Sequence, residues 1–400
     1  MIPQGYKHTE LGIIPQEWER IPLGKLVSIT SGESPTLYTL EREGKYPYVK
    51  VEDMNNCEKY QTTSREYSNN ERDVIKAGSI IFPKRGAAIL NNKVRIAGCD
   101  IQMDSNMMAI TPNELITSEY LYYKIQQEKL FKIADTSTIP QINNKHIIPY
   151  KICLPPVEEQ RKIAEILGVW DKAIELQARL VDKLELRKRA LMQRLLTGRL
   201  RLPGFSEPWQ KYTYAQILKE IKRTLKWDDN EKYHLISVRR RSGGLFQRES
   251  LYGHEIKTKN LRPAYAGDFL ISKMQIVHGA SGLTTPEFHD MKISGSYIAL
   301  VTKDQQRLNI EYFNFWSQMP EFYHHTFISS FGVHIEKMTF DIDSFMSLVM
   351  SLPSITEQNK IVEIITTANK EIEIAKAKLA AYRTQKRGLM QQLLTGKKRV

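Results

Sequence analysis

The feature that most constrains the fold of this chain is a tandem internal repeat. The segment LPPVEEQRKIAEILGVWDKAIELQ, which begins at Leu154, recurs as LPSITEQNKIVEIITTANKEIEIA from Leu352. KRALMQRLLTG (188–198) then recurs as KRGLMQQLLTG (386–396), at the same offset of 198 residues and without a gap. A chain of 400 residues that repeats itself in this way is expected to build one structural unit twice.

Each copy of the repeat predicts one long helix with a narrow apolar stripe. Apolar residues recur at steps of three, four and seven, which is typical of the seam of a coiled coil. About forty residues at 1.5 Å per residue extend about 60 Å, which is too long for a small globular core to cover. We therefore expect the two helices to pair with each other rather than each to pack only on its own domain. The predicted seam comprises Ile163, Ile166, Trp170, Ile174, Val181, Leu184, Leu191 and Leu195 in the first helix, and Ile361, Ile364, Ala368, Ile372, Leu379, Tyr382, Leu389 and Leu393 in the second.

The ends of both helices carry recognisable start and stop residues. Pro155–Pro156 suit the first turn of the first helix, and Ser354 with Glu357 predicts a capping box at the start of the second. Gly198 and Gly396 stand where a glycine is expected to end a helix. Tandem copies of a domain followed by a helix fold most simply with the helices antiparallel, so we expect an approximate two-fold axis between the copies.

The globular segments before the two helices also resemble each other, although more weakly. AGSIIFPKRG (77–86) matches AGDFLISKMQ (266–275), which predicts a turn, a short apolar strand and a cationic side chain at its end. NMMAITPNELITSEYLYYKI (106–125) resembles SYIALVTKDQQRLNIEYFNF (296–315), a strand followed by an aromatic helix. The aromatic residues of these helices, including Tyr122, Tyr123 and Phe313, are expected in the core.

The predicted fold class is α+β, with two mixed α/β domains joined by two long helices that form an antiparallel coiled coil with internal pseudo-two-fold symmetry. The predicted boundaries are a first domain at 1–153, a first helix at 154–202, a second domain at 203–351 and a second helix at 352–400.

The positive charge of the chain is concentrated at two places. The formal net charge is +13, and residues 179–201 and 376–400 together carry more than all of it. Basic residues near a helix end complement the helix dipole, and they also suit contact with a polyanion. Because duplex DNA has two-fold axes perpendicular to its length, two domains on an antiparallel rod could each meet one of two separated sites. We favour DNA or an acidic protein surface as the partner.

Together these features resemble the specificity subunits of Type I restriction–modification systems. The resemblance is carried by LPPVEEQRKIAEIL with LPSITEQNKIVEII, by both LLTG helix ends, by GYKHTELGIIPQEWERIPLG at the start and by YVKVEDMNN (48–56). It covers nearly all of the chain and is weakest in the second globular segment. The repeated L-P-x-x-x-E-Q-x-x-I pattern before a long helix is the most specific part.

The resemblance implies two target recognition domains, each of which binds one half of a bipartite sequence in double-stranded DNA. It implies that the coiled coil sets the spacer between the halves and docks two methyltransferase subunits that methylate adenine. Restriction/translocase subunits would join through that complex. S-adenosylmethionine, ATP and magnesium are accordingly expected on partner subunits, and no cofactor on this chain.

Candidate DNA-reading residues are the polar side chains at strand ends and in loops, because Arg reads guanine and Asn or Gln reads adenine by paired hydrogen bonds. In the first domain they are Lys84, Arg85, Asn91, Asn92, Lys93, Arg95, Ser137, Thr138, Gln141, Asn143, Asn144 and Lys145. In the second domain they are Arg239, Arg240, Arg241, Ser242, Lys273, Gln275 and His278. Each of these, taken singly, is also compatible with an ordinary solvated loop position.

Motifs for catalysis are missing from the sequence. It contains no Asn/Asp-Pro-Pro-aromatic motif of adenine methyltransferases, no G-x-G-x-x-G after a strand and no G-x-x-x-x-G-K-[ST] loop. His324, His325 and His334 lack the carboxylate spacing of a metal site. A fused restriction–methylation enzyme is therefore disfavoured, and a non-enzymatic subunit is expected. A structural coiled-coil adaptor that binds proteins remains an alternative, and sequence-dependent DNA binding would distinguish the two.

The remaining composition indicates a reducing compartment. Cys57, Cys99 and Cys153 lie far apart without paired spacing, so neither a disulfide framework nor a zinc site is expected. No run approaches the ~20 apolar residues of a membrane span, and the polar N-terminus lacks a signal-peptide core. We expect a cytoplasmic protein.

Overall fold

The computed structural model describes residues 3–10, 12–136 and 139–400. Contacts divide the chain into two compact units. Unit 1 consists of Met1–Arg179 and Ala377–Val400, and unit 2 of Leu180–Lys376. Each long helix therefore contributes residues to both units, and each unit contains a part of each helix.

Unit 1 is built on a five-stranded mixed sheet in the order β4-β11-β8-β9-β6. Within it, β11 is antiparallel to both β4 and β8. The strands of unit 1 as a whole are β1 (Tyr6–Thr9), β2 (Gly12–Pro15), β3 (Glu19–Pro22), β4 (Val27–Ser31), β5 (Tyr46–Val49), β6 (Tyr60–Gln61), β7 (Tyr67–Ser68), β8 (Ile80–Pro83), β9 (Arg95–Ala97), β10 (Gln102–Met103), β11 (Met107–Pro112) and β12 (Lys151–Leu154). Its helices are α1 (Ser118–Glu128), α2 (Asn144–Ile147), the first part of α3 (Val157–Leu195) and the last part of α8 (Ile355–Leu393).

Unit 2 repeats the central strand order of unit 1 as β14-β21-β18-β19 and adds a second four-stranded sheet, β16-β15-β20-β17. Its strands are β13 (Gln210–Thr213), β14 (Leu218–Glu220), β15 (Lys232–Val238), β16 (Leu245–Tyr252), β17 (Leu261–Pro263), β18 (Phe269–Ser272), β19 (Ser281–Leu283), β20 (Lys292–Ser294), β21 (Tyr297–Thr302), β22 (Ser330–Phe331), β23 (Thr339–Phe340) and β24 (Val349–Leu352). Its helices are the last part of α3, α4 (Tyr214–Ile217), α5 (Ile310–Trp316), α6 (Pro320–Ile328), α7 (Ile342–Ser347) and the first part of α8 (Ile355–Leu393).

The repeated strands β8 and β18 are buried throughout, which explains their continuous apolar sequences. Each pairs antiparallel with the strand that the sequence placed after it, β8 with β11 and β18 with β21. The helices that follow, α1 and α5, cover this pair with the predicted core aromatics. Tyr123 and Phe313 are fully buried, and Trp316 is 2% exposed. The expected strand, link and aromatic helix are therefore confirmed in both units.

The helices α3 and α8 each span 39 residues, about 58 Å at 1.5 Å per residue. In unit 1, residues 163–167 of α3 share a hydrophobic cluster with residues 389–394 of α8. In unit 2, residues 191–196 of α3 share a cluster with residues 361–365 of α8. The two helices thus pack antiparallel within each unit, and the predicted α+β fold class is confirmed.

The helix ends differ from the prediction in one respect. Gly198 and Gly396 adopt left-handed φ values of 71° and 72° after α3 and α8, as expected. The Ser354 side chain accepts a hydrogen bond from the backbone N–H of Glu357 at 3.3 Å, which is half of a capping box. The other half is absent among the described contacts, because the Glu357 carboxylate accepts two hydrogen bonds from Arg201 instead.

The E-Q pair at the start of each helix has a structural explanation. The Gln160 side chain accepts a hydrogen bond from the Thr117 N–H at 2.9 Å and donates one to the Leu115 carbonyl at 2.9 Å. Gln358 is buried in the same way in unit 2, where its side chain accepts from the Asn309 N–H at 2.9 Å. Because Thr117 and Asn309 cap α1 and α5, the glutamine fixes the start of each long helix to the globular domain.

Candidate nucleic-acid interface

In unit 1 the candidate residues begin at Lys84, directly after β8. Its backbone N–H donates to the Asn106 carbonyl at 2.8 Å, and its own carbonyl accepts from the Ile142 N–H at 2.9 Å. The lysine is thus held between the start of β11 and the loop that precedes α2. Its side chain is half-buried, and burial together with the neighbouring Arg85 lowers its pKa. The cation is well positioned but only partly hydrated.

The two polar segments predicted in unit 1 come together at this point. The Gly86 N–H donates to the Pro140 carbonyl at 2.9 Å, and Arg85 forms a β-bridge with Gln141. Gln141 in turn donates to the Asn143 side chain at 3.0 Å. Arg85 is exposed, as are Asn144 and Lys145 in the first turn of α2. Ser137 and Thr138 lie outside the described residues.

The candidates between Asn91 and Arg95 mostly serve the fold. The Arg95 guanidinium donates to three backbone carbonyls, those of Cys57, Val94 and Met54, at 2.8–2.9 Å. Arg95 therefore secures the segment around residues 54–57 and has little capacity left for a base.

Two earlier candidates, Asn92 and Lys93, are engaged similarly. Asn92 adopts a left-handed φ of 48° and donates to the Gln126 carbonyl at 2.9 Å. The Lys93 ammonium donates to the Asn55 side chain at 2.7 Å. Asn91 is exposed.

In unit 2 the backbone of Lys273 has the same surroundings as that of Lys84. Its N–H donates to the Ser296 carbonyl at 2.9 Å, immediately before β21, and its carbonyl accepts from the Phe340 N–H at 3.0 Å. A strand-end lysine is therefore held in both units between the strand that follows and a later loop. This equivalence confirms that Lys273 occupies the place that matches Lys84.

The two candidate clusters of unit 2 are also brought together. The Arg241 N–H donates to the His278 carbonyl at 2.7 Å, which joins the β15–β16 turn to the segment after β18. The Arg240 side chain donates to Gln275 at 2.6 Å and to Glu336 at 3.1 Å. His278 lies 3.2 Å from the same Glu336 carboxylate. Arginine, glutamine and histidine thus form one polar surface.

The turn that carries the arginines has an unusual backbone. Arg241 and Ser242 have φ values of 57° and 53°, a left-handed conformation that is costly for residues with a Cβ. The turn is held by the bond between the Ser242 hydroxyl and the Tyr323 hydroxyl at 2.8 Å. Arg239 stacks on the Phe246 ring, with its guanidinium carbon 4.4 Å from the ring centre. Such local strain is typical of sites that present side chains for binding.

Glu336 was not among the residues singled out in the sequence. It follows an apolar segment, and no local pattern connects it with Arg240 or His278. The contact depends on a hairpin formed by β22 and β23, whose strands are only two residues long. Short strands of this kind give too weak an alternation to be recognised from the sequence.

The residues of the predicted seam are withdrawn from solvent. None of its sixteen residues is exposed, and Ile163 and Ile361 are fully buried. In unit 1 the rings of Trp170 and Tyr382 meet edge to face at 5.7 Å. Further residues outside the predicted stripe are buried as well, because a second face of each helix packs on the globular domain. These additional residues include Ala164, Leu167, Met192, Leu196, Val362, Ile365 and Leu394.

Many basic residues at the helix ends are paired with acids. Lys376 contacts Glu185 at 2.8 Å, and Lys386 pairs with Asp171. Arg187 and Glu371 form a further pair. These contacts contribute to helix pairing in the respective units, so the basic segments are not simply free surfaces for a polyanion.

Within the described ranges, no group of three or more His, Cys, Asp and Glu side chains is placed to hold a metal ion. The three cysteines are free thiols. None of the described helices combines the length and apolar character needed to cross a membrane.

Two α/β domains share one strand frame, present different polar residues at its end and are attached to paired long helices. This is a duplicated α/β domain architecture built on paired helices. Residues 15–186 match the family model described as the Type I restriction modification DNA specificity domain. The Type I restriction enzyme MjaIX specificity subunit of Methanocaldococcus jannaschii is 29% identical over 180 residues, which cover 42% of this chain and 41% of that protein.

Two solved structures share the fold along almost the whole chain. The Type I restriction–modification S subunit from M. genitalium has a TM-score of 0.55 at 14% identity and covers 94% of this chain and 96% of that one. A chain from a study of assembly and conformational transition of the type I R-M system has a TM-score of 0.62 at 16% identity, covering 96% and 99%. These findings confirm the resemblance to Type I restriction–modification specificity subunits noted in the sequence.

Proposed function

We propose that this chain is the DNA sequence-specificity subunit of a Type I restriction–modification complex, with one half of a bipartite duplex target bound by each domain. The observation that carries the proposal is the duplicated frame around Lys84 and Lys273. The same backbone hydrogen bonds support both lysines, whereas the residues that follow them differ, Arg85 and Gly86 in unit 1 and Met274 and Gln275 in unit 2. Two domains that bind different half-sites need the same backbone support but different polar side chains, and this is the arrangement around the two lysines.

Each patch contains the groups that recognise DNA. Exposed arginines such as Arg85 and Arg240 match the acceptors of guanine and the phosphates, while Gln141 and Gln275 match adenine. Both glutamines already contact a neighbouring polar side chain, so each is held in a defined orientation. Fixed orientation favours selective hydrogen bonding over nonspecific attraction.

The long helices are proposed to set the distance between the half-sites and to dock two methyltransferase subunits, which methylate adenine. Restriction/translocase subunits join through them. Large apolar side chains on the helices support docking, since Val169, Leu186 and Ile374 are 65%, 61% and 69% exposed. Exposed apolar groups of this size are suited to a protein partner.

The chain itself is proposed to be non-catalytic. Chemistry and its cofactors, S-adenosylmethionine, ATP and magnesium, are assigned to the partner subunits. The selectivity of the complex would then change with this chain alone, while its reaction would not.

The experiment is methylation mapping in cells that express the chain with its candidate methyltransferase partner, before and after exchange of residues 203–351 for the corresponding segment of a relative. This exchange keeps Arg201 and Glu357, so the contact between them is preserved. A split adenine-methylated motif whose second half alone changes would support the proposal. A matched exchange of residues 19–151 should change only the first half. No motif, or a motif indifferent to both exchanges, would instead favour the protein-binding adaptor.

A further inference from the structure

A β-hairpin of unit 2, Ser330–Phe340, has an apolar tip that is open to solvent. Its strands pair antiparallel, with Ser330 opposite Phe340 and Phe331 opposite Thr339. Val333 at the tip is 95% exposed, and Phe331 and Ile335 are 60% and 52% exposed. A cluster of exposed apolar side chains on one short element indicates a contact surface.

The base of this hairpin is firmly attached. Ser329 and Phe340 are buried, and the Asp341 N–H donates to the Ser329 carbonyl at 2.8 Å. The Ser330 hydroxyl donates to the Thr326 carbonyl at the end of α6 at 2.7 Å. The apolar tip is therefore presented on an anchored support, because the residues on both sides of it are fixed in the domain.

The position of the hairpin corresponds to a candidate DNA-reading loop of unit 1. Phe340 donates its N–H to the Lys273 carbonyl, as Ile142 does to the Lys84 carbonyl. The residues before Ile142 include the polar candidate Gln141, whereas those before Phe340 form the apolar hairpin. The two segments share a place in the frame but differ in chemistry, so the sequence pattern alone did not connect them.

The surroundings of the hairpin are cationic. Glu336, on the hairpin, contacts both Arg240 and His278, and Lys337 follows it in the chain. Arg241 adjoins Arg240 and is exposed. An occupant must therefore combine negative charge with small apolar groups. The DNA major groove does so, because phosphates line it, thymine methyl groups project into it and a two-stranded β-ribbon fits its width.

We propose that the Ser330–Phe340 hairpin enters the major groove of the second half-site and that Phe331 and Val333 contact thymine methyl groups there. This inference rests on the proposed function, and it adds apolar contacts to the polar surface formed by Arg240, Gln275 and His278. Arg240 lies beside the hairpin and contacts the phosphates that flank the thymines.

The first test uses the full chain with its methyltransferase partner in cells. Val333→Ser and Phe331→Ser, singly and together, are compared with Val349→Ser, a control at a strand valine of the same unit that is 45% exposed. The double variant should relax the second half of the motif at A·T positions and leave the first half unchanged. Val349→Ser should leave both halves unchanged.

The second test measures binding of the reconstituted complex to duplexes that carry the mapped motif. Replacing the second-half thymines by deoxyuridine removes only the methyl groups. Wild-type affinity should fall about tenfold, in the range expected for a lost base contact, while the double variant should bind both duplexes equally. The same replacement in the first half should affect wild type and double variant alike.

The outcomes separate this inference from the proposed function. A wild-type complex without a split motif would contradict the proposed function itself. The hairpin assignment alone would be overturned if the double variant left the split motif intact. It would also be overturned if deoxyuridine in the second half-site did not change the DNA affinity of the wild-type complex. Loss of methylation at every site, with the methyltransferase subunit lost on co-purification, would assign the hairpin to protein contact and also overturn it.

Discussion

Arg201 donates two hydrogen bonds, each 2.9 Å long, to the carboxylate of Glu357 across 156 residues of sequence. The glutamate is 1% exposed and lies in the first turn of α8, while the arginine follows the end of α3. Unit 1 contains the equivalent contact, in which Arg399 donates to Glu159 at 2.6 Å. In both units the end of one long helix is thus tied to the beginning of the other.

Arg201→Ala should therefore destabilise unit 2 strongly. The substitution leaves the Glu357 carboxylate buried without its cation, and removal of one partner of a buried pair costs about 3–5 kcal/mol. Thermal unfolding of the full chain should show a clearly lower midpoint. Arg187→Ala is the matched control, because it breaks the exposed pair with Glu371 and should cost at most about 1 kcal/mol. Equal effects of the two variants would contradict this assignment.

Gly396→Ala should destabilise unit 1 more than Gly204→Ala does in unit 2. Both glycines have positive φ values, 72° and 86°, so an alanine is strained by about 1–2 kcal/mol at either position. A Cβ at Gly396 would also come within 2.3 Å of Pro15, whereas one at Gly204 meets nothing within 4 Å. The difference between the two unfolding midpoints measures this steric clash. Similar midpoints would show that Pro15 yields without cost.

Arg85→Ala and Arg95→Ala should have opposite consequences. Arg85 is exposed, so its loss should weaken DNA binding by the complex and leave the unfolding midpoint unchanged. The slope of log binding constant against log salt concentration should become shallower by the contribution of about one phosphate contact. Arg95 holds three backbone carbonyls, so its loss should lower the midpoint. Salt titrations of DNA binding together with thermal unfolding distinguish the two roles. A stable Arg95→Ala variant with altered base preference would contradict the structural role and indicate that Arg95 contacts DNA bases.

Glu128 should make unit 1 sensitive to acid. Burial raises the pKa of its carboxyl, but the charge and hydrogen bond of Lys124, the hydrogen bond of Tyr150 and the charge of Lys132 together outweigh burial, so the pKa lies below its ordinary value of 4.5. A carboxylate with a lowered pKa binds fewer protons when folded than when unfolded. Its stabilisation is complete above the ordinary value and is lost as the pH falls through the lowered one. Lys124 also donates to the Leu394 carbonyl at 3.0 Å, so acid should loosen the attachment of α8.

Thermal unfolding midpoints measured between about pH 6 and about pH 3 check this expectation. The midpoint of Glu128→Gln should depend less on pH than that of the wild type. Glu114→Gln, at an exposed position of the same unit, serves as the control and should follow the wild type. An unchanged pH dependence in Glu128→Gln would show that the carboxylate does not contribute.

The candidate site was only partly predictable from its residues. The strand-end lysines were recognised because β8 and β18 are continuous apolar runs followed by a cation, which is a local pattern. Arg95 carries no local mark that distinguishes a residue bound to three carbonyls from one that faces DNA. Glu336 and Val333 were missed because their neighbours in space are far away in sequence, and their hairpin is too short to show a strand period.

The amino-acid sequence by itself determined the duplication, the two long helices with their terminal glycines, and the apolar stripe on each helix. These features depend on periodicity and on interactions within one or two turns, which are written in consecutive residues. Only the tertiary structure decided that the Glu357 carboxylate binds Arg201 instead of completing a capping box, and that Arg95 supports the fold. It also decided that the hairpin of unit 2 occupies the place of a polar loop in unit 1. Each of these outcomes depends on hydrogen bonds between residues brought together by the packing of the whole domain, and no short stretch of sequence contains both partners.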